Sequence, residues 1–252
     1  VLCASAELGL KRAEARKMCA QFSQHYAQAL AEGRMRWVER ETATGPIKEL
    51  FDELRDRKRV DFLDDRTERD GKRGRRLRID GKRALQVSDK QQAQVTRLIE
   101  RFAKRQDDAG FFEVLDVARR IAGTGSLGVE RYVVLVRGKA SEDSKKADGN
   151  HLLDLKLALP TSLSAPLRTR LGLRQPAWAS EGERCVALQE RLQAVPVAML
   201  HELGAADKRY VLRSLLPSQD RISLDPKHTD LDELRGVLAD LLSEAAKLDI
   251  TH

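Results

Sequence analysis

Gly123-Thr-Gly-Ser-Leu-Gly128 is the stretch of this 252-residue chain best suited to chemistry. Main chain without Cβ atoms can close around phosphate oxygens. Gly123, Gly125 and Gly128 would allow that approach, and Ser126 would add a hydroxyl donor. A G-x-G-x-x-G leading into a helix would set a dinucleotide pyrophosphate on the helix N-terminus. Here the run Arg131-Tyr-Val-Val-Leu-Val136 follows and stops at Arg137-Gly138. Its β-branched and aromatic residues predict a strand, so the glycines fall in a strand-turn-strand hairpin. The polar stretch from Lys139 to Asn150 leads into His151-Leu-Leu-Asp-Leu-Lys156, which reads as the next strand. Lys156 would then bring an ammonium to the phosphates. The same residues also admit a plainer reading, in which the glycines permit a tight turn and Lys156 is a strand-end surface residue.

Glycine hairpin, strand, second hairpin and lysine is the order that covers and neutralises ATP phosphates in protein kinases. Phosphoryl transfer needs backbone N–H groups, a lysine, a metal-binding carboxylate and a base, because the enzyme chiefly positions phosphates and offsets charge. This chain offers the first two. ATP and Mg are therefore the expected cofactors, with Gly123, Gly125, Ser126, Gly128 and Lys156 as the binding residues and an acceptor substrate left open. Glu183 or Glu190 could orient the lysine from a helix, although Glu183 also suits a helix cap and Glu190 a solvated face. Arg213 could reach the same cleft or make a surface ion pair.

The elements needed to hold these residues are legible in the pattern. From about Leu10 to Ala31, Met18, Phe22, Tyr26 and Ala29 recur at helical spacing, and Gly33 closes that helix. Thr44-Gly-Pro46 opens a second, with Ile47, Leu50, Phe51 and Leu54 on one face. Leu77 and Ile79 alternate with arginines, Asp80-Gly81 suits a two-residue turn, and Ala84 to Val87 returns the chain, which predicts a small basic hairpin. Ser88 with Gln91 forms a capping box before Val95, Leu98, Ile99 and Phe102. Gln106 to Gly110 is a break. Pro160 and Pro166 mark a connection, and Ser180-Glu-Gly-Glu183 caps a helix through Val186, Gln189, Leu192 and Gln193. Tyr210-Val-Leu-Arg213 is a further strand. Asp230 caps a last helix striped by Leu234, Val237, Leu238, Leu241 and Leu242.

Composition narrows the class. Charged residues make up 34% of the chain, and no apolar run approaches the ~20 residues that span a bilayer. Val1-Leu-Cys-Ala-Ser-Ala lacks the basic start and apolar segment of a signal peptide. Cys3, Cys19 and Cys185 lie far apart and are odd in number, so neither a disulfide framework nor zinc spacing is expected, and a reducing cytoplasm is the simplest setting. His25, His151, His201, His228 and His252 are scattered. Between Arg55 and Arg83 stand 13 Lys and Arg against 7 Asp and Glu, a net +6 within a total of +7. An anion- or nucleic-acid-binding role through this segment is the rival reading, with Arg73, Arg75 and Arg76 as contacts. The mixed acids and the lone aromatic Phe62 fit it poorly.

The segment from Phe112 to Val136, Leu153-Asp-Leu-Lys156, Gln189 with Gln193, and Tyr210 to Arg221 together resemble the bacterial family catalogued as domain of unknown function 2252. Thr44-Gly-Pro46 and Leu77-Arg-Ile-Asp-Gly-Lys82 extend the likeness over essentially the whole chain. The resemblance implies an α+β, protein-kinase-like fold related to aminoglycoside phosphotransferases, with a small antiparallel sheet carrying the glycine-rich hairpin. It also implies that longer members carry, upstream, a Gly-Asp-x-His-x-x-Asn-like and an Asp-Phe-Asp-like segment resembling a catalytic loop and a metal-binding aspartate. This sequence has neither, so it is expected to be an incomplete piece of a fold permuted relative to ordinary kinases. Val1, followed by Leu2, Ala4, Ala6 and Leu8, reads as the middle of a helix and agrees with that expectation. Relatives usually place glutamate after the lysine, whereas this chain has Leu157, which leaves a non-catalytic, pseudokinase-like scaffold as an alternative. Three parts are expected: 1–110, helical and basic; 111–225, the glycine-loop sheet resembling a kinase N-lobe; and 226–252, a C-terminal helix.

Overall fold

The computed structural model describes residues 11–33, 39–43, 45–55, 58–70, 74–122, 128–139, 149–193, 195–205 and 207–217. Contacts divide the chain into two units, one of Lys58–Leu188 with Val197–Leu215 and one of Val1–Arg57, Gln189–Pro196 and Leu216–His252. In the latter, α1 (Arg12–Glu32) ends at Gly33, whose φ of +59° is the left-handed conformation a helix C-terminus favours. α2 (Gly45–Arg55) carries Pro46 in its first turn, where a missing N–H costs no intrahelical bond.

The other unit is built on a six-stranded sheet. After α3 (Arg59–Arg66) come β1 (Thr67–Asp70), β2 (Gly74–Leu77) and β3 (Ala84–Leu85), then α4 (Asp89–Ala103) and a 3₁₀ turn (Ala109–Phe112). β4 (Val114–Arg120), β5 (Arg131–Val136), β6 (His151–Leu157), α5 (Ser164–Leu171), α6 (Glu181–Leu192), β7 (His201–Ala205) and β8 (Lys208–Ser214) follow. The strand order is β3-β4-β5-β6-β8-β7, and every neighbouring pair is antiparallel. β4 and β5 flank the glycine segment as an antiparallel pair, and β6 lies beside β5, as the apolar runs imply.

Burial explains why β5 is apolar from Tyr132 to Val136 instead of alternating: every residue of it is buried, because both sheet faces are covered. On one face, Tyr132, Val134, Leu153, Leu155 and Leu212 pack under α4 through Val95, Leu98, Ile99 and Phe102. On the other, Val133, Leu135, Leu152 and Ala118 meet Leu63 of α3 and Leu77 of β2. The capping box at α4 is complete, with the Ser88 hydroxyl accepting from the Gln91 N–H and the Gln91 side chain accepting from the Ser88 N–H. At α6, the Glu183 N–H donates to Ser180 Oγ at 2.9 Å, while the Glu183 carboxylate takes the Ala179 N–H instead of that of Ser180.

The hairpin at Asp80-Gly81 is corrected. Gly81 does take a positive φ of +68°, but β2 pairs with β1 and β3 pairs with β4, so this turn links two sheets. Two contacts accompany this arrangement: Asp80 Oδ1 accepts the N–H groups of Lys82, Arg83 and Ala84, and Asp116, 39 residues on, accepts the Leu77 N–H at 2.7 Å. The basic hairpin is β1 with β2. β7 and α5 lack a clear pattern: His201-Glu-Leu-Gly-Ala205 has no β-branched residue, and α5 buries nothing. The final helix expected near Asp230 to Leu242 lies outside the described residues. No described helix is long and apolar enough to cross a membrane.

Ser88→Ala removes the cap oxygen from the helix that covers the sheet, and should lower stability by about 1 kcal/mol. Urea unfolding with an unchanged m-value checks this.

Candidate functional site

Strand alternation decides which chemistry meets. In the β5–β6–β8 register Arg131 stands opposite Lys156, and Asp154 stands opposite both Val133 and Arg213. Lys156, Asp154, Arg131 and Arg213 therefore share one sheet face, the one turned away from α4. Arg120 joins them from the end of β4. The preceding glycine segment leaves beside the same lysine: Gly128, exposed with φ +79°, turns into β5, and the Leu157 N–H donates to the Glu130 carbonyl at 2.9 Å. Gly123, Gly125 and Ser126 lie outside the described residues.

Asp154 is the centre of this face, 1% exposed. Arg131 grips it with both arms of its fork, Nε to Oδ1 at 2.7 Å and Nη2 to Oδ2 at 2.6 Å. Arg120 Nη1 lies 2.9 Å from Oδ1, and Arg213 Nε donates to Oδ2 at 3.3 Å. Burial pushes the Asp154 carboxyl up, but the Arg131 hydrogen bonds and the charges of Arg120 and Arg131 outweigh it and hold it at about 2. Burial likewise pulls Arg120 below its usual value, against the attraction of Asp154 and with the repulsion of Arg131 and Arg66. Buried ionised groups are tolerated when paired. Here three guanidiniums meet one carboxylate.

Other acids nearby are committed elsewhere. Asp116 accepts the N–H groups of Leu77 and Val117. Asp65 and Asp80 hold Arg83. Glu130 holds Lys208 and accepts the Tyr210 hydroxyl at 2.6 Å. Lys156 is half-buried, and its ammonium makes no ion pair or hydrogen bond among the described residues. A cavity of about 20 Å³ beside Arg120, lined by Arg66, Arg78, Arg83, Asp65 and Asp80 among others, has room for about one water and none for a phosphate chain. Among the described residues the more exposed end of the cluster is that of Arg213 and half-buried Lys156.

Of the helix carboxylates considered for Lys156, Glu183 serves as the cap contact and Glu190 is exposed on α6. Arg213 belongs to the Lys156 face through Asp154. Leu157 turns the opposite way and packs against the α4-side core, so whatever residue occupies 157 faces away from Lys156. Asp154, Arg131 and Arg120 were not foreseen, though a signal existed: Asp154 is a lone carboxylate in an apolar strand, in phase with Lys156. Part of the basic segment is paired with its own acids, Arg75 with Asp64 at 2.6 Å, Arg76 with Glu68 at 3.1 Å and Arg83 with Asp65 at 2.6 Å. Arg73 lies outside the described residues. Among the described residues no group of three or more His, Cys, Asp or Glu is placed to hold a metal ion.

The chain belongs to the DUF2252 family. That family's sequence model, described as an uncharacterized protein conserved in bacteria, matches residues 1–247. Neither a curated protein nor a solved structure matches the chain.

Asp154→Asn leaves the guanidiniums without their counter-charge and should destabilise the protein by about 3–5 kcal/mol, read as a fall in melting temperature. A carboxylate held below its ordinary 3.8 contributes stability at neutral pH that is lost as pH falls through its folded value. Stability should therefore drop between about pH 4 and pH 2 in the wild type. The same acid limb should be shallower in Asp154→Asn.

Proposed function

We propose that this chain supplies the phosphate-binding part of a nucleotide site in a kinase-like member of its family. Gly123, Gly125, Ser126 and Gly128 line the phosphates from the loop between β4 and β5, and Lys156 neutralises them from β6. One observation carries the reading. The bond from the Leu157 N–H to the Glu130 carbonyl, with Arg131 opposite Lys156, sets the lysine beside Gly128 at the start of β5, on the face that also carries Arg213. Order and spacing along the sequence allowed this meeting but did not require it.

The division of labour follows from the residues. Glycine main chain offers N–H donors without side-chain bulk, Ser126 offers a hydroxyl, and Lys156 offers a mobile point charge suited to phosphate oxygens. Magnesium enters as part of the Mg-ATP complex, where it would offset charge on the phosphates. Asp154 is poorly suited to hold that ion, because both of its oxygens are engaged by guanidiniums. The described residues of this face fit the phosphate-binding role and supply neither the base nor the metal-binding carboxylate of a phosphotransferase. Transfer to an acceptor would need the upstream motifs that the family resemblance implies. Cys19 and Cys185 are half-buried and outside any disulfide, which suits a cytoplasmic setting.

A nucleic-acid role is favoured less, because Arg75, Arg76 and Arg83 are engaged by acids of the same segment and Phe62 is its lone aromatic. A scaffold without nucleotide remains the second reading, favoured by the commitment of Asp154 to arginines rather than to a metal.

Calorimetric titration of the wild-type chain with Mg-ATP should show saturable binding, weakened at least about tenfold in Lys156→Ala, the loss expected for a charge-assisted contact. A folded wild-type protein that takes up no Mg-ATP overturns the nucleotide site and leaves the scaffold.

A further inference from the structure

The nucleotide reading leaves part of the cationic face unused. Lys156 is one charge there, and among the described residues three guanidiniums are directed at the one carboxylate of Asp154. These guanidiniums differ in exposure. The side chains of Arg131 and Arg120 are 9% and 11% exposed, whereas that of Arg213 is 32% exposed.

Arg213 touches Asp154 through Nε alone, at 3.3 Å, and its two Nη groups have no partner among the described residues. That contact sets the direction of the guanidinium while leaving its outer edge available. Position matters as much as charge. Asp154 lies directly across from Arg213, and Lys156 is two residues further along the same strand face, so Lys156 and Arg213 are diagonal neighbours on β6 and β8. Diagonal pairs in an antiparallel sheet lie roughly 7–8 Å apart, within bridging reach for long side chains and a ligand between them.

Resting on the nucleotide reading above, we propose that Arg213, aimed by Asp154, is a second cationic contact for the phosphate chain, and that the site therefore prefers triphosphates and diphosphates to monophosphates. Lys156 supplies a point charge and Arg213 a planar fork that can take two oxygens of one phosphate. Arg120 and Arg131 stay behind them, bound to Asp154, as fixed positive charge. Asp154 is a positioning residue: it holds the guanidiniums in place without meeting the ligand. A diphosphate or triphosphate offers outer phosphate oxygens to both cationic side chains, and a monophosphate offers oxygens of one phosphate only.

The test is calorimetric titration of the 252-residue chain with ATP, ADP, AMP and inorganic tripolyphosphate, in wild type, Arg213→Ala and Lys156→Ala, with thermal melts to establish folding. Affinity should fall in the order ATP, ADP, AMP. Arg213→Ala should weaken ATP binding about tenfold while changing AMP binding less than about twofold, since a charged hydrogen-bonding contact is lost only where the outer phosphates sit. If Arg213→Ala unfolds, Arg213→Gln keeps a donor toward Asp154 at the Nε position while removing both Nη groups, and is read in the same way. ATP binding that depends on Lys156 but is unchanged in the folded Arg213 variant overturns the Arg213 contact and leaves the nucleotide reading standing. Tripolyphosphate that binds as tightly as ATP and depends on Arg213 supports the cationic pair and overturns the nucleotide reading. A folded wild type that binds none of the four overturns both.

Discussion

A single buried carboxylate organises the chemistry of this protein. Asp154 sits in the middle of β6 with three guanidiniums directed at its two oxygens. Taking a carboxylate out of water is unfavourable unless hydrogen bonds and opposite charge replace hydration, and Arg131 does so with two aligned bonds. Once that pair is formed, Arg120 at the end of β4 and Arg213 on β8 are drawn to the same point. Four strands are thus tied by charge on one face, while the other face is held by apolar packing under α4.

The two faces do different work for a physical reason. Apolar packing is nondirectional, so Val134, Leu155 and Leu212 against Ile99 and Phe102 give cohesion without fixing any polar atom in space. Hydrogen-bonded ions are directional, and they place donors at defined positions. Lys156 and Leu157 show the division within two residues. Leu157 packs on the α4 side, and Lys156 stands on the charged side, beside the glycine segment's exit. β5 must satisfy both environments, and all of its residues are buried.

Much of this frame could be read from residue order. The capping box at Ser88, the stripe through Val95, Leu98, Ile99 and Phe102, the strand runs at Arg131–Val136 and His151–Leu157, and the left-handed glycines at Gly33 and Gly81 are local properties, each set by neighbours within a few residues. The partner of β2 was not legible, because Leu77 to Val87 satisfies a hairpin pattern as well as it satisfies a link between sheets. Asp116, distant in sequence, takes the Leu77 N–H and coincides with the second outcome. β7 was hidden for another reason: an edge strand needs only one buried side chain, and Leu203 alone gives no period.

The sequence by itself determined the alternation that sets Lys156 and Asp154 on one face, the glycines able to border it, and membership in the DUF2252 family over residues 1–247. These are properties of short segments or of the string as a whole, and they survive whatever the chain does elsewhere. Only the tertiary structure decided that Arg120, Arg131 and Arg213 converge on Asp154, and that Lys156 lies opposite Arg131. Register between strands brought residues up to 93 positions apart, Arg120 and Arg213, onto one carboxylate. A charged side chain in a strand pattern does not say which charge it will face, because cross-strand neighbours are chosen by backbone pairing and by the packing that locks it.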